Sequence, residues 1–162
     1  MAQVDYFLKI DGIEGESEDS KHKKEVEVLS FSWGASNSGS MGHGTGGGTG
    51  KVLCQDLHFT FRHCCASPKL AEFCCTGKHI PKATLVCRKA GGDEALEYLK
   101  VTLSDLVVSS YQMGGSQGDI LPIDQVSLNF TKIEDEYKPQ TGTGTGSGQV
   151  KFGWDVKQNK KL

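Results

Sequence analysis

Two histidines and four cysteines form the group of residues in this sequence that is best suited to chemistry. They lie in the stretch 63–65 (His-Cys-Cys), in the pair at 74–75 and at position 79. One cysteine of each pair together with the two histidines is a donor set that zinc accepts, although adjacent cysteines point apart and cannot both turn toward one ion. Packing as small apolar side chains is the more common use of a free cysteine. The candidate metal ligands are therefore His63, Cys64, Cys74 and His79.

The same group contains a possible nucleophile and base, because a histidine beside a cysteine can accept its proton. No residue close in sequence is placed to orient His63 or His79, which disfavours this use. Ser116 lies in the pattern Gly-x-Ser-x-Gly (114–118), which many hydrolases use at a strand-to-helix turn. Pro122 interrupts any helix after that serine, so the pattern predicts a plain loop.

A third motif, Gly-x-Gly-x-x-Gly at 42–47, matches the dinucleotide fingerprint as a string. The fingerprint binds pyrophosphate only where a helix opens directly after it. Here residues 52–54 (Val-Leu-Cys) lead into a predicted strand. We therefore expect no nucleotide site and no cofactor.

Composition excludes several other functions. The chain has 162 residues, with 18 Lys and Arg against 20 Asp and Glu, and this balance argues against a nucleic-acid partner. No apolar run approaches the roughly 20 residues that span a bilayer, and the first residues lack the pattern of a signal peptide. We expect a protein that is made in the cytoplasm, is not inserted in a membrane and leaves the cell, if it does, without a cleaved leader. Its six cysteines are then expected to be reduced.

Period-two alternation of apolar and polar residues predicts the scaffold that positions these side chains. Each such pattern is typical of a strand with one buried face. In the last pattern, Val150, Phe152 and Trp154 are expected on the buried face. The seven patterns span residues 4–10, 29–33, 57–61, 83–87, 99–103, 126–130 and 150–156.

One helix is predicted, with Ser67 as its N-cap, Pro68 at its first position and Gly77 just past its end. Its buried face is expected to hold Leu70, Phe73 and Cys74. About seven strands and one short helix predict a mainly β fold, either an antiparallel barrel or a sandwich.

Two glycine-rich segments interrupt the strand patterns. Residues 37–50 predict an extended loop, and residues 141–148 predict a solvated Thr/Gly/Ser loop before the last strand. Because a clean strand pattern follows the second segment, we expect residues 1–162 to form a single domain.

Several stretches together resemble the haemolysin-coregulated protein (Hcp) family of bacterial type VI secretion. The resemblance covers essentially the whole chain in the right order, while the cysteines at 64, 65, 74 and 75 depart from the family pattern. The stretches that carry it are 7–10 (Phe-Leu-Lys-Ile), 15–17 (Gly-Glu-Ser), 31–34 (Phe-Ser-Trp-Gly), 55–57 (Gln-Asp-Leu), 77–83 (Gly-Lys-His-Ile-Pro-Lys-Ala), 88–92 (Arg-Lys-Ala-Gly-Gly), 97–99 (Glu-Tyr-Leu), 126–130 (Val-Ser-Leu-Asn-Phe), 137–140 (Tyr-Lys-Pro-Gln) and 153–156 (Gly-Trp-Asp-Val).

The resemblance implies a small β-barrel with one helix that assembles as a hexameric ring around a wide pore. Rings of this family stack into the inner tube that a contractile sheath expels, tipped by a valine-glycine-repeat spike protein, and some effector proteins travel in the pore. It implies a structural protein and not an enzyme.

Two surfaces follow as expectations from that resemblance. Ser32 must face away from Phe31 and Trp33, so it is the candidate for the pore wall. The candidate contact between stacked rings is the loop that begins with Gly39, Ser40, Met41, Gly42, His43 and Gly44.

Two other functions remain open besides the ring. The alternative is a monomeric β-sandwich that binds a small ligand or a protein partner, and the third hypothesis is a hydrolase that uses Ser116 or a Cys–His pair.

Overall fold

The computed structural model of the chain describes residues 4–39, 50–89, 94–140 and 148–162. It is mainly β, with one helix in the described residues, as predicted. The elements are β1 (Val4–Ile10), β2 (Val26–Glu27), β3 (Ser30–Ser32), β4 (Ala35–Asn37), β5 (Val52–Cys54), β6 (Leu57–Arg62), α1 (Ala66–Thr76), β7 (Ile80–Lys89), β8 (Leu96–Gly114), β9 (Ile123–Tyr137), β10 (Val150–Asp155) and β11 (Lys160–Lys161).

The main sheet closes into a barrel. All of its strand pairs are antiparallel, and they run from β2 through β1, β7, β8 and β9 to β6, which pairs in turn with β3. The barrel closes between β2 and β3. There the Val28 amide donates to Tyr6 O on β1, and the Leu29 amide donates to Thr60 O on β6. The segment 26–32 therefore borders β1 with its first half and β6 with its second half.

Strands β8 and β9 are longer than the sequence patterns that predicted them. β8 has 19 residues and β9 has 15. The pairing of β8 with β9 shifts between Val108 and Ser110, as at a β-bulge. An extra residue breaks the period of two, and the alternation on either side then no longer appears as one strand.

The barrel is filled by one apolar cluster. Phe59 and Phe61 of β6, Leu85 of β7 and Leu128 of β9 are each no more than 1% exposed. Cys87 lies in this cluster in line with Ala83 and Leu85, as the packing interpretation expected, and burial raises the pKa of its thiol to about 12.

Helix α1 packs on this cluster with Ala66, Leu70 and Phe73. It begins one residue before the predicted N-cap, because Ser67 does not cap it: this side chain is buried and bonds to the barrel instead. Gly77 ends the helix as predicted, with a φ of 68° that favours glycine.

The predicted buried face of β10 is only partly covered. Val150, Phe152 and Trp154 stand opposite Tyr137, Asp135 and Ile133 of β9 and so project to the core side of the sheet. Val150 is nevertheless 66% exposed and Phe152 44%, so the described residues cover neither side chain fully. The expectation that these two residues are buried is wrong.

Residues 11–25 fold back onto the barrel through ion pairs. The Arg88 guanidinium binds Asp19 at 2.6 Å and Asp5 at 3.1 Å, and lies 4.9 Å from the centroid of the Phe7 ring. His22 stacks on the same ring at 4.5 Å between centroids. Its two ring nitrogens each lie 2.7 Å from a carboxylate, one of Glu25 and one of Glu97.

Strands β4 and β5 form a separate two-stranded arm. Asn37 pairs with Val52 and Ala35 with Cys54, and none of the six side chains is buried. The arm carries the predicted extended loop, of which residues 40–49 lie outside the described part of the chain.

No helix within the described ranges has both the length and the apolar character that crossing a bilayer requires.

Candidate functional site

A sheet surface of neutral polar side chains is the candidate site, and we call it the hydroxyl face. It is built from strands β3, β6, β9 and β8, whose paired residues form two rows across the sheet. Paired residues project to the same side of a sheet. The rows are Ser32, His58, Ser127 and Ser110, and beside them Ser30, Thr60, Gln125 and Gln112.

Alternation along each strand separates this face from the core. Between Ser30 and Ser32, Phe31 turns inward and meets the Tyr6 ring at 5.1 Å between centroids. Trp33 also packs on the core cluster, while Ser32 is exposed. The predicted orientation of Ser32, away from Phe31 and Trp33, is confirmed.

Hydrogen bonds between neighbouring strands hold the hydroxyls in place. Ser30 Oγ lies 2.6 Å from Thr60 Oγ1, and Ser110 Oγ bonds to Ser127 Oγ. At the margin of the rows, Ser109 donates to Asp56 Oδ2 at 2.6 Å. Seven of the eight residues line a groove of ≈ 280 Å³, whereas Ser127 is buried.

The face contains hydrogen-bond donors and acceptors but almost no charge. His58 is the only one of its eight residues that has a basic or acidic side chain. Such a surface offers many weak contacts to polar groups.

A second polar cluster surrounds Asp124, whose carboxylate is fully buried. It accepts hydrogen bonds from Ser67 Oγ at 2.5 Å and from the Tyr111 hydroxyl at 3.1 Å, and His63 Nδ1 lies 3.2 Å from it. The start of helix α1 adds the positive end of its dipole beside the carboxylate. Three donors and this dipole explain how a buried carboxylate is tolerated.

The Asp124 cluster corrects the expectation that nothing orients His63. Asp124 lies 61 residues away in sequence, and sequence proximity could not find it. The arrangement still lacks a usable nucleophile, because Ser67 is fully buried and burial raises the pKa of the Cys64 thiol. The cluster thus connects the end of β6, α1, β8 and β9 by hydrogen bonds. Its role is to hold these elements together.

Comparisons with known proteins agree with this architecture. The sequence profile described as "Type VI secretion system effector, Hcp" matches residues 7–137. The chain is 47% identical to protein Hcp1 of Pseudomonas aeruginosa over 157 residues, which cover 96% of this chain and 97% of that protein.

The chain belongs to the Hcp family of the type VI secretion system.

Solved structures support the same assignment. One, described as a type six secretion system protein, superposes with a TM-score of 0.91 at 36% identity, covering 98% of this chain and 99% of that one. Hcp1 of Salmonella typhimurium superposes with a TM-score of 0.82 at 42% identity, covering 99% and 100%. The chain is accordingly a secreted protein of this system, from a family of secretion proteins and not of enzymes.

The cysteines that depart from the Hcp pattern do not form a metal centre with the two histidines. His63 contacts Asp124, whereas His79 contacts Asp105 at 3.2 Å on an exposed surface. Within the described ranges, no three His, Cys, Asp or Glu side chains converge as a metal ion requires. Cys64 and Cys74 are half-buried and pack on the Hcp core cluster instead.

The remaining predicted sites lie on loops. Ser116 is exposed in the connection between two antiparallel strands, β8 and β9, which is not the strand-to-helix turn that a nucleophile needs. Gly39 is exposed at the end of the arm. The other residues of the predicted stacking loop, Ser40, Met41, Gly42, His43 and Gly44, lie outside the described residues.

Sequence reasoning found one residue of the hydroxyl face and missed the others. Four of these had appeared only as polar positions in strand patterns, namely Ser30, His58, Thr60 and Ser127, whereas Ser110, Gln112 and Gln125 lie outside the patterns. Their alignment into rows depends on the register between strands that are distant in sequence, such as His58 opposite Ser127.

Proposed function

We propose that six copies of this chain, each acting as one domain, close into a ring whose pore is lined by the hydroxyl face. Stacked rings then form the inner tube of the secretion apparatus, and the role is structural. The observation that carries the proposal is the pair of uncharged rows across four strands of a barrel that belongs to the Hcp family. A closed barrel suits this role, since its rigid wall keeps the rows at a fixed spacing.

The hydroxyl face suits a passage for protein cargo. Hydroxyl and amide groups exchange hydrogen bonds with water at little net free energy, so a polar cargo surface binds each copy weakly. Effector proteins would be retained by many such contacts around the ring and released when the tube comes apart.

The arm suits contact between rings. Its two strands bring the loop that starts at Gly39 away from the barrel, and glycines allow that loop backbone shapes closed to other residues.

The same proposal assigns the remaining partners. A contractile sheath surrounds the tube and a valine-glycine-repeat spike protein tips it. The protein waits in the cytoplasm and is expelled into the medium or a target cell.

Light scattering and electron microscopy of the purified protein test the ring. We expect a mass near six times the 17.5 kDa of the chain and particles with a central hole. A mass of one copy at all concentrations would instead support the alternative, a monomeric β-sandwich that binds a ligand or partner.

Variants test the division between ring, pore and arm. Deleting residues 42–48 should leave rings intact and impair their stacking, and loss of the ring itself would contradict this division. Ser32→Arg should leave the ring mass unchanged and reduce retention of a bound effector, whereas the matched variant Ser116→Arg, on a loop outside the hydroxyl face, should not affect retention.

A further inference from the structure

An exposed apolar surface at one end of the sheet has no partner within the described part of the chain. It consists of Val150 and Phe152 on β10 and Tyr137 on β9, and we call it the β10 patch. Phe152 and Tyr137 are each 44% exposed and Val150 is 66% exposed, although all three project to the core side of the sheet. Large apolar side chains clustered at the surface mark an interaction site.

Two buried polar atoms beside the β10 patch lack hydrogen-bond partners among the described residues. Asp135, which stands opposite Phe152, has an unpaired Oδ1, and burial raises the pKa of its carboxyl group. Trp33, whose ring lies 6.4 Å from that of Phe152, has an unpaired Nε1. Unpaired buried groups destabilise a fold, so a covering segment that brings one donor and one acceptor would relieve both.

The strand that carries the patch also has a free edge. β10 pairs with β9 along its length. Within the described residues its other edge is covered only from Gly153 to Asp155, by β11 and by the Leu162 amide, which donates to Gly153 O. The backbone from Val150 to Phe152 can therefore accept a further strand, which is a common way for one chain to bind another.

The arm has the complementary properties. β5 pairs only with β4 in the described structure, so one of its edges is open, and Leu53 on it is 67% exposed. An edge strand supplies alternating N–H and C=O groups, which are the donor and acceptor that Asp135 and Trp33 lack. Because the arm leaves the barrel directly after Trp33, it starts beside the β10 patch of its own copy and can extend over the patch of a neighbour.

We propose that strand β5 of a second copy docks on the β10 patch, with Leu53 against Phe152. This inference rests on the proposed ring, in which each copy binds the next through two different surfaces. Each arm would then cover the β10 patch of the next copy around the ring, close to the point where that copy's own arm begins. The stalk of the arm contributes to ring closure, while its loop remains available for stacking.

Photocrosslinking between copies tests this contact in the full chain. Copies with benzoylphenylalanine in place of Phe152 are mixed with isotopically heavy copies, irradiated and digested. We expect crosslinks from the light position 152 to heavy peptides that contain residues 52–54. Rings that crosslink to another segment of the second copy, or not between copies at all, overturn this contact and leave the ring standing. A chain that never forms rings overturns both.

Charge insertion provides a second test. Phe152→Glu should raise the concentration at which rings dissociate by about tenfold or more. Ile120→Glu is the matched control, since Ile120 is a 98% exposed apolar residue on the β8–β9 loop, away from the patch. Dissociation constants that are equal for the two variants, with both chains folded by circular dichroism, would overturn the assignment.

Discussion

The barrel and the arm are both built from antiparallel strands, but they differ in how far their apolar side chains are buried. Phe61 in β6 is fully buried by its own chain, whereas Leu53 in β5, only a few residues earlier, is 67% exposed. The arm gains two-stranded pairing but none of its six side chains is fully buried, and an isolated pair of strands is marginally stable in water.

This contrast separates what the chain does for itself from what it leaves for other molecules. Residues of the barrel determine whether the chain folds. Residues of the arm should barely affect folding and should matter only when another copy is present. The predictions below test that separation, from the largest expected effect to the smallest.

The largest effect is expected in the barrel core. Phe61→Ala leaves a cavity among fully buried neighbours and should lower the free energy of unfolding by about 4 kcal/mol. Urea denaturation at a fixed protein concentration measures it. A loss below about 1 kcal/mol would mean that the core at this position is not packed as described.

The next effect is expected at the Asp124 cluster. Asp124→Ala removes the acceptor of three buried or half-buried groups and should cost about 3 kcal/mol. The matched control is Asp56→Ala, since Asp56 is less buried and accepts bonds from Ser109 and Asn129 at the surface. Equal losses for the two variants would contradict the anchoring role of Asp124.

A smaller effect is expected where residues 11–25 meet the barrel. The hydrogen bond and charge of Arg88 lower the pKa of Asp19 from 3.8 to about 2. A lowered carboxyl pKa contributes stability above pH 4 that is lost as the pH falls toward 2. For a partly exposed pair, this contribution is about 1 kcal/mol.

Unfolding measured between pH 5 and 2 tests that pair. Arg88→Gln should remove most of this acid-dependent loss, while Arg62→Gln, which changes an exposed arginine, should retain it. If the two variants had the same pH profile, the ion pair would not contribute to stability.

The smallest effect on folding is expected in the arm. Leu53→Ala should change the free energy of unfolding of dissociated chains by less than about 0.5 kcal/mol. The same variant should weaken rings, if the proposed contact is correct. A large loss of stability in dissociated chains would show that the arm packs on its own barrel.

The sequence predicted the fold class because apolar and polar residues alternate wherever one face of a strand is exposed to solvent. It predicted the apolar positions of β6 well, since Leu57, Phe59 and Phe61 are all buried. It misjudged β10, because alternation states which side of a sheet a residue faces and not whether anything covers that side. The uncovered Val150 and Phe152 are the result.

The candidate site was less accessible to sequence reasoning. Ser32 could be oriented from its neighbours, but its row is completed by β9 and β8, more than 70 residues further along the chain. The partnership of His63 with Asp124 was missed for the same reason. Long-range register is fixed by packing of the whole barrel, and no local pattern contains it.

The segment 26–32 pairs first with β1 and then with β6, and this affects how strands can be exchanged between molecules. Because this segment closes the barrel, its detachment would break the hydrogen bonds to β1 and to β6 at the same time. Exchange of this strand between molecules at high concentration is therefore strongly disfavoured, which guards the protein against domain swapping and fibre growth.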